Sequence, residues 1–183
     1  MENNNIFKSG VRIFRPSDIT AIIKAITKID YRDKFEVMLY TGARYNELRW
    51  LFTHQAAFNG ESILMPSFKP KAVHKERYIR LNSNGKRAVS YFLRSKRNLP
   101  ARDGWNQNLI RWCEKAGVSK EGVSSKTTRK TWESWLITRY PDNATQIFLS
   151  QGHTDKVSLD FYLMLNFDEQ DKQDMKFYTD GWI

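Results

Sequence analysis

Apolar residues recur at α-helical spacing through most of the chain, and this periodicity limits the possible folds more than any other feature. The first stripe follows Ser17 and Asp18, either of which can cap a helix, and comprises Ile19, Ile22, Ile23, Ile26 and Ile29. Further helical patterns are predicted at residues 33–40, from Ala43 onward, and at residues 86–96, 105–115, 126–140, 143–150 and 159–165. The chain is therefore expected to be mainly helical.

Two short segments depart from the helical pattern and are typical of strands. Residues 62–65 and 77–81 flank a basic stretch that contains Lys69, Lys71 and Lys75. They predict a hairpin with a basic tip, so the expected fold class is mainly α with a small antiparallel β-sheet. Residues 1–13 are predicted to be an N-terminal arm or linker, residues 14–165 one compact domain, and residues 166–183 a tail. Apolar anchors in the tail predict docking on its own domain or on a neighbouring protomer.

The charge balance favours a polyanionic partner. The 183 residues include 30 Lys and Arg against 20 Asp and Glu, a formal net charge of +10, and nucleic acid is the commonest partner for such a chain. Cys113 is the single cysteine, which rules out an intramolecular disulfide and a thiolate metal cluster within one chain. With a polar N-terminus and no membrane-length apolar run, the expected location is the cytoplasm, on nucleic acid.

Two segments combine an arginine with a neighbour that would direct it. Arg44 follows Gly42 where a helix is expected to begin, a position that favours anions, and Glu47 three residues later is placed to orient it. Lys126 and Arg129 are predicted to share a face at the start of another helix, next to Lys130. Cations there oppose the helix dipole, which indicates an anionic ligand, although an ordinary solvent-exposed pair explains each pattern equally well.

A third pattern places His153 nine residues before Tyr162. One continuous helix would separate them by ~13 Å, so they can meet at one phosphate only if the chain bends between them. Ser158 can cap a new short helix there and supply that bend. Tyr162 alone would be interpreted as a packing residue.

Taken in order, these motifs resemble the tyrosine recombinases, also called phage-type integrases, over about residues 16–165. The motifs are Thr-Gly-x-Arg-x-x-Glu-Leu, a hairpin lysine, Lys-x-x-Arg-x-Thr, and Gly-His followed by the tyrosine. The resemblance implies that Arg44 and Arg129 are the two catalytic arginines, Tyr162 the nucleophile and Glu47 a supporting acid. It implies His153 at the His/Trp position. Lys71 fits the hairpin lysine best, with Lys69 and Lys75 as the alternatives, and Lys69, Lys75 and Lys130 are expected to contact DNA.

The sequence departs from the family pattern in three ways. Lys126 stands where most members have histidine, as in archaeal or viral branches, and Gln151 replaces the usual leucine before Gly-His. Members usually carry an N-terminal core-binding domain, so a fragment or an unusually short member is expected.

The resemblance implies strand cutting and rejoining through a 3′-phosphotyrosyl intermediate, with no metal, ATP or other cofactor. The expected partners are double-stranded DNA and further copies of the chain, as a dimer to tetramer on DNA, with no membrane. Three alternatives remain open: a type IB topoisomerase, a DNA-binding protein that kept the fold but lost catalysis, and, less favoured, an RNA-binding module.

Overall fold

The computed structural model describes residues 5–68, 75–153, 162 and 164–183. In chain order the elements are β1 (Ile6–Lys8), β2 (Val11–Ile13), α1 (Pro16–Ala25), α2 (Ile29–Thr41), α3 (Tyr45–Thr53), β3 (Ser62–Pro66), β4 (Glu76–Arg80), α4 (Ser83–Arg94), α5 (Arg102–Ala116), α6 (Thr127–Arg139), α7 (Ala144–Gln151) and α8 (Glu169–Thr179). The prediction of a mainly helical fold with small antiparallel pairing is confirmed, and the described residues contain two such pairs, β1–β2 and β3–β4.

Helix α6 lies at the centre of the fold. It packs against β2, α2, α7 and α8, and Trp132, Trp135 and Leu136 are fully buried. Packing on several sides explains why the sequence of α6 shows little of the one-sided apolar pattern of a surface helix. Side chains that point from α6 toward solvent are therefore held in place by a rigid helix of the core.

The N-terminal segment predicted to be an arm or linker instead contains a β-hairpin. Strands β1 and β2 pair antiparallel, with Ile6 opposite Ile13, and both side chains are buried. The hairpin is joined to α6 because the Phe14 backbone N–H donates to the Thr131 hydroxyl at 3.0 Å. Alternation over three-residue strands is too short a signal to predict, whereas tertiary contacts with α6 hold the hairpin in place.

The first helix ends earlier than its apolar stripe predicts. Helix α1 stops at Ala25, and α2 begins at Ile29. Ile19 and Ile22 are fully buried, but the Ile29 side chain is 64% exposed. Helical spacing places residues on one face only while the helix continues, so Ile29 does not join the stripe.

The register of the second hairpin places its buried apolar residues on one side of the sheet. Ile63 pairs with Ile79 and Met65 with Arg77, so Ile63, Met65 and Ile79 face the core from one side of the sheet. Strand β4 packs against α7. The tip residues 69–74 lie outside the described part of the chain.

The C-terminal tail docks on its own domain. Arg15 at the start of α1 pairs with Asp171, and the Tyr178 and Thr20 hydroxyls are 2.8 Å apart. Trp182 is fully buried, and its indole N–H donates to the Arg80 carbonyl at 3.1 Å. Of the two predicted modes of docking, this structure shows the intramolecular one.

Candidate active site

The junction between α2 and α3 positions Arg44 and Glu47. Gly42 ends α2 in the left-handed region, with φ +55°, and is not the start of the next helix as the sequence predicted. Arg44 is instead the residue before the first turn of α3, and its backbone N–H donates to a Glu47 carboxylate oxygen at 2.6 Å. The Arg44 guanidinium donates to the same carboxylate at 2.7 Å, which confirms the predicted pairing.

Glu47 also binds a second arginine. Arg77 of β4 donates from both terminal guanidinium nitrogens to the two Glu47 oxygens, at 3.1 and 2.8 Å. The Glu47 side chain is 2% exposed, and burial alone would raise its pKa. Bonds and charges from Arg77 and Arg44 outweigh burial and lower the pKa of Glu47 to about 2. The carboxylate therefore stays ionised and anchors both arginines.

The carboxyl end of α7 gathers three arginines. Successive carbonyls accept from different guanidinium groups: Ser150 from Arg77 at 3.0 Å, Gln151 from Arg129, and Gly152 from Arg44 at 3.1 Å. The last carbonyls of a helix lack intrahelical partners and carry the negative end of its dipole, so they suit cations. This helix end is what brings the two predicted catalytic arginines together.

Gly152 is required where these arginines converge. It adopts φ +69°, a left-handed conformation that ends α7, and a Cβ there would lie 2.8 Å from Arg77 Nε. Both the backbone conformation and the closeness of Arg77 disfavour a side chain at this position. The glycine of the Gly-His motif therefore has a structural role, which is to end α7 beside Arg77.

Arg129 lies at the bottom of the site. It donates to the Gly42 carbonyl at 2.7 Å as well as to Gln151, and it is 9% exposed. Burial, followed by the charge of nearby Arg44, lowers the pKa of Arg129 to about 10, so it remains a cation at neutral pH. The Arg44 side chain, by contrast, is 40% exposed. Arg44 is therefore the more accessible of the two to an incoming anion.

His153 and Tyr162 meet through an acid that the sequence analysis did not identify. His153 Nε2 lies 2.6 Å from an Oε atom of Glu133, and the same carboxylate interacts with the Tyr162 hydroxyl and raises its pKa. The Phe148 ring lies 5.8 Å from that of His153 and 6.0 Å from that of Tyr162. The structure therefore brings the predicted His-to-Tyr pair to one place. The intervening residues 154–161, with the proposed Ser158 cap, lie outside the described residues.

Tyr162 is buried, and the N-terminal hairpin covers it. Its side chain is 1% exposed, and Lys8 of β1 places its ammonium 3.0 Å from the ring centroid. Burial raises the pKa of Tyr162, and the charge and hydrogen bond of Glu133 raise it further. Burial also lowers the pKa of Lys8, to about 8. The phenol is thus protonated in this state.

The remaining predicted basic residues occupy different environments. Lys126 directly precedes α6 and is exposed, whereas Arg129 is buried. The two charges therefore do not share an exposed face, as the sequence predicted they would. The Lys130 ammonium donates to the Lys8 carbonyl at 2.9 Å. Lys75 is exposed at the base of the second hairpin. Lys69 and Lys71 lie outside the described residues, so their roles stay predictions.

Sequence reasoning missed three site residues: Lys8, Arg77 and Glu133. Arg77 was predicted only as part of a strand, although an arginine paired with buried Met65 is an unusual inward charge. Glu133 follows Arg129 by four residues, a spacing that places both on one helix face, and this signal was available. Lys8 has no local signal, because its proximity to Tyr162 depends on tertiary packing.

Among the described residues, no three or more His, Cys, Asp or Glu side chains cluster as metal ligands. In the same part of the chain, no helix has the length and apolarity needed to cross a bilayer.

The chain resembles solved recombinase structures in fold. No protein-family model and no curated protein matches the sequence. A structure of the XerA recombinase superposes with a TM-score of 0.65 at 17% identity, over 92% of this chain and 65% of that one. A post-cleavage complex of the XerH site-specific recombinase with a palindromic difH substrate gives 0.63 at 16% identity, over 96% and 54%. This chain therefore spans about half to two thirds of those proteins and has the fold found in tyrosine recombinase structures.

Proposed function

We propose that this chain is the catalytic domain of a site-specific DNA recombinase that cuts and rejoins strands through Tyr162. The observation that carries the proposal is the convergence of two arginines, a histidine and a tyrosine from four separate segments. Helix α7 ends at the point where Arg44 and Arg129 are bound, and the next residue, His153, contacts the acid that holds Tyr162. The recombinase fold supports the same reading.

In the proposed reaction, the scissile phosphate binds between Arg44 and Arg129. Forked guanidinium groups can each hold non-bridging oxygens and stabilise the charge of the pentacoordinate transition state. A new bond forms between Tyr162 Oη and phosphorus as the bond to the 5′ oxygen breaks. Lys71 protonates the leaving oxygen, and His153 takes up the tyrosyl proton. A second 5′ hydroxyl reverses the step, so neither ATP nor a metal is needed.

The structure resembles a resting state of such an enzyme. Tyr162 is buried and protonated, and a phosphate can reach it only after local rearrangement. A cavity of about 540 Å³ beside Arg44, Arg77 and His153 would provide the entry for the DNA backbone. Double-stranded DNA is the proposed substrate, acted on by a dimer to tetramer.

The test is covalent trapping. Incubation with nicked or phosphorothiolate DNA in EDTA is expected to give a protein–DNA adduct on a denaturing gel. Tyr162→Phe should abolish the adduct, while Tyr178→Phe, a change at another buried tyrosine, should retain it. Clear DNA binding without any adduct would instead favour the fold as an inactive DNA-binding scaffold. Relaxation of supercoiled plasmid that lacks a specific site would favour topoisomerase chemistry.

A further inference from the structure

Glu133 is a buried acid at the centre of the proposed site with no counterpart among the motifs of the sequence. It lies on α6 one turn after Arg129 and is 2% exposed. Its carboxylate lies 2.6 Å from His153 Nε2, and its charge acts on the buried Tyr162 hydroxyl. Two groups proposed to act on the phosphate are therefore held by one acid.

The charged groups around Glu133 keep it ionised. Burial opposes its negative charge, but the hydrogen bond and charge of His153, then Arg129 and Lys8, lower the pKa of Glu133 below its ordinary value. These groups come from the segment after α7, from α6 and from β1. Lys130 of α6 stands next to Lys8, where its ammonium binds the Lys8 carbonyl.

An ionised carboxylate disfavours a tyrosinate beside it. If the Tyr162 proton left, two anions would face each other in a buried site. Arg129 opposes this effect by favouring the phenolate, but burial and Glu133 outweigh it. Lys8 lies against the face of the Tyr162 ring, with its ammonium 3.0 Å from the ring centroid.

We propose that Glu133 is a positioning residue that holds Tyr162 as a protonated phenol beside His153 until a DNA phosphate enters the site. Glu133 thereby keeps Tyr162 a weak nucleophile until a phosphate is correctly bound. The contact with His153 places the imidazole and the phenol on the same carboxylate. This inference rests on the proposed function for its meaning, but the protonation state of Tyr162 can be measured without DNA.

The direct measurement is the titration of Tyr162 by NMR in protein labelled with ¹³Cζ-tyrosine. The signal is assigned by its loss in Tyr162→Phe. Glu133→Gln keeps the size of the side chain and removes the charge, so the titration midpoint of Tyr162 is expected to fall by at least about one pH unit, a tenfold increase in phenolate. The proposal is overturned if Tyr162 titrates at the same pH in both proteins. It is also overturned if Tyr162 stays protonated in both over the whole pH range in which they are folded.

Glu36→Gln is the matched control. Glu36 is another largely buried acid, and its charge acts on Tyr40 and Tyr178 rather than on Tyr162. This variant should shift those two signals and leave Tyr162 unchanged. Glu133→Asp retains the charge and should keep Tyr162 protonated. If Glu133→Gln proves unfolded by circular dichroism, Glu133→Asp becomes the test. A Tyr162 titration midpoint in Glu133→Asp as low as that of a free phenol would count against the proposal.

A second readout separates this inference from the proposed function. In single-turnover trapping, the pH at which adduct formation is half-maximal should be lower in Glu133→Gln than in the natural protein. An adduct with the same pH profile in both proteins would contradict the role of Glu133 while supporting Tyr162 as nucleophile. Absence of adduct in both would contradict the proposed function, and the NMR titration would still decide the role of Glu133.

Discussion

At the scale of single residues, Glu47 shows how a buried charge can be structural and functional together. It binds Arg44 through both backbone and side chain, and it binds Arg77 through two further hydrogen bonds. Removing one partner from such a buried cluster leaves uncompensated charge, which costs more than the pair contributes. We therefore expect Glu47 to determine whether Arg44 is presented correctly.

The stability of the fold should depend on the ionisation of Glu47 in acid. The folded-state pKa of about 2 lies below the ordinary value of 4.5, so the stabilisation is complete above pH 4.5 and is lost as pH falls toward 2. A shift of this size corresponds to about 3 kcal/mol. In urea unfolding, the stability difference between the natural protein and Glu47→Gln should shrink over this window. A constant difference would contradict the assignment, and exposed Glu61→Gln is the control.

At the scale of elements, the end of α7 organises the site more than any other feature. Its last carbonyls bind Arg77, Arg129 and Arg44. A glycine at position 152 ends the helix without a Cβ that would contact Arg77. The two arginines proposed to bind the phosphate therefore come from the residue before α3 and from α6, and the end of α7 aligns them. Such an arrangement makes the arginine cluster sensitive to the backbone of a helix that supplies none of its side chains.

Gly152→Ala should disrupt this alignment. A matched control exists in Gly117→Ala, since Gly117 has the same φ of +69° but no heavy atom within 4 Å of an added Cβ. Both variants should lose about 1 kcal/mol from the left-handed backbone. Gly152→Ala should lose about 1–3 kcal/mol more and most adduct formation, because Arg77 must move. If Gly152→Ala and Gly117→Ala lost equal stability on thermal unfolding, Arg77 would move away from the added Cβ at no cost in free energy.

Helix α8 and the segment after it should be part of the folding unit. Trp182→Ala removes a fully buried indole and should destabilise the protein by about 3–5 kcal/mol. Phe177→Ala changes a neighbouring aromatic that is 77% exposed and should alter stability by less than about 0.5 kcal/mol. Guanidinium unfolding of the two variants measures both values. Similar small effects would show that the C-terminal segment does not contribute to the core.

At the scale of the whole molecule, the net charge of +10 predicts that the proposed DNA binding depends on phosphate neutralisation. The logarithm of the DNA affinity should fall linearly with the logarithm of salt concentration, with a slope of about −0.9 for each phosphate contacted. Lys75→Ala should reduce that slope by about one contact, whereas Tyr162→Phe should leave it unchanged. Fluorescence anisotropy over a salt series measures this, and a DNA affinity independent of salt would contradict phosphate neutralisation as the basis of binding.

Local patterns of the sequence predicted most of the elements and the order of the motifs. Helices α4 to α7 and strands β3 and β4 lie within a few residues of their predicted positions, because each depends on periodicity, a turn or a helix-ending glycine or proline that neighbouring residues supply. The pairing of Arg44 with Glu47 was predictable for the same reason, since the two lie three residues apart on one helix end.

Only the tertiary structure decided how the site is assembled. Lys8 reaches Tyr162 across most of the length of the chain, and Glu133 joins His153 to Tyr162 because α6 is packed at the centre of the fold. Burial gives these groups their altered ionisation, and burial is a property of packing that no local pattern contains. The sequence by itself determined which residues are available for chemistry; the packing of α6, α7 and the N-terminal hairpin determined which of them meet.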